Sequence, residues 1–144
     1  MVRDRRRIAE ATAAAAMFSG APSTLHALLS QGGVRAAAVS VRDATRAIGT
    51  LVPPSRPGLV RGGAIHLIIS ALCAEVLART LPAHRSAAWG AAAGLAIGLV
   101  NVGIIGRRFP AIRALPLVPQ LADHVAFGTV FALVADRRRS AARS

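Results

Sequence analysis

The stretch "SAAWGAAAGLAIGLVNVGIIG", residues 86–106, runs from end to end without a charged side chain. A helix that crosses the hydrocarbon of a bilayer needs about 20 mostly apolar residues, because each residue advances only about 1.5 Å. This segment meets that requirement, and reading it as a membrane crossing decides how the rest of the chain is read.

The whole chain agrees. Its 144 residues are 53% hydrophobic yet carry a formal net charge of +12, and the mean hydropathy is +0.50. A soluble domain of this size leaves roughly a third of its unfolded surface in water. So apolar a chain cannot hide its greasy surface in a small fold, and a bilayer removes the conflict. Three further segments approach spanning length, 8–29, 59–81 and 115–135. The first is the least apolar, being mostly alanine, with Glu10 near its start and Pro22 inside it. The expected architecture is therefore all-α, a polytopic bundle of four transmembrane helices forming a single integral membrane domain over 1–144.

An N-terminal "VRDRRR" before an alanine-rich run also has the form of a signal peptide, with small residues at 20–22 where cleavage can occur. Glu10 and Thr12 dilute that run, and it continues past Pro22 into "STLHALL", which favours a retained first span. Between the first two spans, "VRAAAVSVRDATRAIGTLV" spaces Val34, Ala38, Val41, Ala44 or Thr45, Ile48 and Val52 by three or four, while Arg35, Arg42 and Arg46 gather opposite. This is the pattern of an amphipathic helix over about 34–50, lying on the membrane surface or capping the bundle. "VPPSRPG" then breaks the chain before the second span.

All 18 basic residues are arginine, as expected of a GC-rich genome. They cluster at segment ends: Arg3 to Arg7, Arg79 with Arg85, Arg107, Arg108 and Arg113, then Arg137 to Arg139 with Arg143. Basic termini and an even number of spans place both termini in the cytoplasm of a bacterial cell membrane, although the first loop carries arginines as well. Nucleic acid is excluded as a partner, since the arginines form no stripe and stacking aromatics are nearly absent, with no tyrosine and Trp89 alone. The single cysteine, Cys73, excludes an intramolecular disulfide and sits in an apolar run. "GLVRGG" lacks the lysine of a phosphate-binding loop.

Taken together, "FSGAPSTLHALL", "GRRFPAIRALP" and "LVPQLADHVAFG" resemble a group of small four-helix membrane proteins of high-GC bacteria for which no activity is established. The resemblance covers nearly the whole chain. It implies the architecture and carries over no functional residue.

Gly90, Gly94 and Gly98 form two overlapping GxxxG motifs, a face on which a neighbouring backbone can come close. Asn101 continues that stripe, and Ala11, Ala15, Ser19 and Ser23 offer a second small-residue face on the first span. These faces serve either a compact monomer or a homo-oligomer. Reading from His66, "HLIISALCAEVLAR" weakly echoes "HVAFGTVFALVADR" from His124, by duplication or by chance in a biased alphabet.

Ionisable residues within spans are the remaining functional signal. Glu75 has Arg79 one turn later and reads as a structural ion pair. Asp123 has no neutralising neighbour in its own segment, so another helix, water or a proton must match it; at a helix start it also meets the positive end of the dipole. In the four-span topology His26, His66, Asn101, Asp123 and His124 converge on the outer half of the membrane. They can hydrogen-bond across interfaces, form a proton or cation site, or, as a histidine pair, hold a haem iron. Catalytic triads and metal-binding motifs with defined spacing are not evident. The leading expectation is a non-enzymatic assembly or accessory protein with itself or another membrane protein as partner, and no resident cofactor. The alternatives are a small dimeric transporter or channel using the His/Asp cluster, and a haem-binding electron-transfer subunit.

Overall fold

The computed structural model describes residues 2–30, 32–82 and 86–140, so Arg85 and Arg143 of the expected boundary clusters lie outside the described residues. Among the described residues helices are the only regular secondary structure, with no strands. Helices α1 (Val2–Phe18) and α2 (Ala21–Ser30) are followed by α3 (Val34–Ile48), a tight turn at Gly49–Leu51, and α4 (Leu59–Thr80). Then come α5 (Ser86–Val100), a π-helical segment at Asn101–Ile105, α6 (Gly106–Arg108), α7 (Pro110–Arg113) and α8 (Leu117–Ser140).

Three helices are long and apolar enough to cross a membrane: Leu59–Thr80, Ala87–Arg108 and Leu117–Asp136. Only 22%, 17% and 28% of their apolar windows are buried inside the protein. Side chains such as Leu67, Leu72, Leu99 and Val118 point outward, and such a surface is stable against acyl chains rather than water.

The segment expected as a first continuous span, 8–29, is divided. Pro22 has no N–H to donate and its ring crowds the preceding turn, so α1 stops at Phe18 and α2 restarts at Ala21. α1 is still part of the bundle. Its small residues Ala11 and Ala15, and Ser19 just past its end, are buried, and the two alanines join Ala74, Leu77, Phe127 and Phe131 of α4 and α8 in one apolar cluster.

α8 occupies the middle of the bundle, touching α5 on one side and α1 and α2 on the other. Its contact with α5 is the most extensive in the protein and uses the glycine row. A Cβ on Gly90 would overlap the Gly128 carbonyl, one on Gly94 would overlap the His124 carbonyl, and one on Gly98 would lie 3.1 Å from the Leu121 side chain. As the α5 numbers rise the α8 numbers fall, so the two helices run antiparallel at backbone contact. Dispersion between close backbones is what holds helices together where no water drives them.

The amphipathic segment is α3, as its periodicity predicts, but the residues it turns inward are Ala37 and Ala47, and it packs on α2, α4 and α7. Val34 and Val41 stay exposed, leaving half of the apolar stripe uncovered. Gly32 and Gly33, at φ of 112° and 86°, make the left-handed turn from α2 into α3 that side-chain-bearing residues rarely adopt. At the other end the Arg61 guanidinium donates to the carbonyls of Gly49 (3.0 Å), Pro53 (2.9 Å) and Val52, gathering the acceptors left free after α3. Beside it, Gly62 packs directly against the Thr45 carbonyl, which fixes α3 on α4.

Candidate functional site

Breaking α1 from α2 leaves backbone groups without their intrahelical partners, and in a membrane each must find another. The Gly20 carbonyl accepts the Thr24 N–H (3.1 Å) and the hydroxyls of Ser23 (3.2 Å) and Thr24 (2.7 Å). The Ala16 carbonyl accepts the Ser19 hydroxyl at 3.0 Å and is met by His66 Nε2 of α4 at 3.3 Å. The free N–H of Ser23, in the first turn of α2, donates to Asp123 Oδ1 of α8 at 2.9 Å. Side chains from two different helices therefore hold the two ends of the break, His66 at a carbonyl and Asp123 at an amide.

Asp123 acts as an N-cap supplied from a distant helix, a role filled in most helices by the residue just before the first turn. The imidazoles of His124 and His66 lie within electrostatic reach of its carboxyl group. Both tautomers follow from their partners, because a carbonyl only accepts. His66 carries its proton on Nε2, facing Ala16, and His124 carries one on Nδ1, 2.7 Å from the Gln120 carbonyl. In the neutral rings the remaining nitrogen of each is a lone-pair acceptor. One turn before His124, the Gln120 amide donates to the carbonyls of Ile112 (3.2 Å) and Leu115 (2.9 Å) and so joins α7 to the start of α8.

Around the break lies a cavity of about 1070 Å³, walled by α2, α3, α4 and α8. His26, His66, Asn101, Asp123 and His124 all line it. They are not equivalent. Asp123, His66 and His124 form one electrostatic group, His26 is exposed on α2, and Asn101 opens the π-helical segment, where its own carbonyl accepts the Gly106 N–H. Among the described residues no three His, Cys, Asp or Glu side chains are placed to share a metal ion.

The other intramembrane carboxylate, Glu75, does not line the cavity and pairs with Arg79 at 2.6 Å. Glu10 pairs with Arg6 at 3.1 Å. Sequence reading missed Ser23 as the partner of Asp123 and Ala16 as that of His66, because both contacts are made by backbone atoms. The one available signal was "SGAP", a small-residue run with a proline inside an otherwise helical pattern.

Fold and site define an all-helical chain with three helices able to cross a membrane and a largely apolar cavity, carrying a few polar side chains, at the divided first segment. Compared with known protein families, with curated proteins and with solved structures, the chain matches none.

Proposed function

We propose that this chain is a four-crossing protein of the bacterial cell membrane, with α1 and α2 together as the first crossing and both termini cytoplasmic, and that it works as a small transporter or channel through the cavity at Asp123. The observation that carries this reading is the broken helix. Discontinuous helices at membrane depth are stable only where they are enclosed by protein or line a polar cavity, and their free ends are where membrane proteins build solute sites. Here the break, the carboxylate and three histidines share one cavity.

The assembly reading rested on the small-residue faces. Both faces are used within the chain, the glycine row on α8 and the Ala11–Ala15 row in the core, so neither requires a partner. The cavity is left without a structural use. α3 suits an interfacial position above it, with Val34 and Val41 available to acyl chains and Arg35, Arg42 and Arg46 exposed to headgroups.

The test is water access. In a Cys73→Ser background in intact cells, Asn101→Cys and a loop control, Ser55→Cys, are exposed to an impermeant thiol reagent added outside. Labelling of both is the expected result. A protected Asn101→Cys beside a labelled loop means a dry, purely structural cluster and ends the transport reading.

A further inference from the structure

We infer that the occupant of this cavity is a lipophilic monocation, held by Asp123 at its charged part and by apolar walls along its body. The inference rests on the reading of the cavity as a solute site and adds the chemistry of the solute. Size comes first. A volume of about 1070 Å³ is far more than a bare ion or a proton relay requires, and it stands at the top of the roughly 300–1,000 Å³ typical of small-molecule sites. The walls include Leu25, Ile48, Leu51, Ile69, Ile97 and Phe127, so a fitting ligand buries hydrocarbon.

Charge comes second. The ionisable groups on the walls are His26 of α2, Arg35 and Asp43 of α3, His66 and Cys73 of α4, and Asp123 and His124 of α8. Asp43 is exposed and pairs with Arg42 at 3.1 Å, and Arg35 is exposed. Asp123 is partly withdrawn from solvent, and its interactions are with Ser23 and the two imidazoles, with no arginine beside it among the described residues.

An anion finds little here. The N-terminus of α2, a backbone feature that favours negative charge, already has Asp123 on it. The protons of His66 and His124 are directed at the Ala16 and Gln120 carbonyls, so what each neutral ring has left is a lone pair. Carboxylate and lone pairs together make an electron-rich end to an apolar chamber, which is complementary to a bulky cation.

The experiment uses two ions of matched shape and opposite charge, tetraphenylphosphonium and tetraphenylborate. Binding to the full chain in phosphatidylcholine nanodiscs is measured by equilibrium dialysis against empty discs. Saturable uptake of the phosphonium alone is expected. It weakens by about tenfold or more in Asp123→Asn, since a partly desolvated charge partner is removed. It also weakens on acidification, because protonation neutralises the carboxylate. Ala36→Trp, which fills the cavity from α3 and leaves Asp123 unchanged, abolishes it.

The pH series and Ala36→Trp keep the test decisive if Asp123→Asn does not fold. Equal saturable binding of the borate, or phosphonium binding indifferent to both Asp123→Asn and pH, overturns the inference. If neither ion saturates while Asn101→Cys is labelled, the cation assignment fails and the solute cavity stands. If neither saturates and Asn101→Cys is protected, both readings fail.

Discussion

The Asp123 carboxylate accepts the backbone N–H of Ser23 at 2.9 Å from a helix 100 positions later in the chain. One bond thus explains why an acidic residue stands inside a span and how a proline-broken segment is tolerated beside it. Removing the acceptor leaves a backbone donor unsatisfied where water is scarce.

Asp123→Ala is therefore expected to lower stability by about 0.5–2 kcal/mol, the usual range for losing a helix N-cap. Asp123→Asn keeps a carbonyl acceptor and loses less. Thermal unfolding in detergent, followed by circular dichroism, checks the order. Equal losses for the two variants would show that the hydrogen bond contributes nothing beyond side-chain volume.

The α5–α8 contact predicts a graded series. Gly90→Ala and Gly94→Ala put a methyl group onto an opposing backbone carbonyl and are expected to cost about 1–3 kcal/mol, whereas a Cβ on Gly103 meets nothing within 4 Å and Gly103→Ala stays within about 0.5 kcal/mol. Thermal unfolding in detergent, followed by circular dichroism, reads the series. A Gly94→Ala protein as stable as the Gly103→Ala protein would contradict the antiparallel packing.

Two adjacent glycines on α4 make an internally controlled pair. At Gly62 a Cβ would overlap the Thr45 carbonyl, while at Gly63 it meets nothing within 4 Å. Gly62→Ala is expected to lift α3 from α4 and raise proteolysis of the segment between them, and Gly63→Ala to leave the digestion pattern unchanged. Limited proteolysis in nanodiscs reads both.

Glu75 and Arg79 predict a small effect. Their side chains are 45% and 72% exposed, so solvent screening leaves the 2.6 Å pair little net value. Glu75→Gln should change stability by less than about 1 kcal/mol and leave phosphonium binding unaltered. A larger loss of binding would move the functional carboxylate away from Asp123.

Much of this was legible along the chain, because it depends on local periodicity and on the solvent. Predominantly apolar runs near 20 residues identify helices that suit a bilayer, four-residue spacing marks Gly90, Gly94 and Gly98 as a close-contact face, and i,i+4 spacing pairs Glu75 with Arg79. Side-chain chemistry also singled out His66, Asp123 and His124 as residues needing an explanation.

What answers that need is not written in side chains. Ser23 and Ala16 meet Asp123 and His66 through an N–H and a carbonyl, groups that every non-proline residue carries, so no pattern of residue types distinguishes them. The sequence by itself determined a helical chain matched to a membrane, with small-residue faces and a few costly polar groups. Only the tertiary structure decided that the glycine row faces α8 and that the backbone ends freed at Pro22 fall beside Asp123 and His66. The physical reason is that these contacts depend on where the helices lie relative to one another, which local periodicity does not encode.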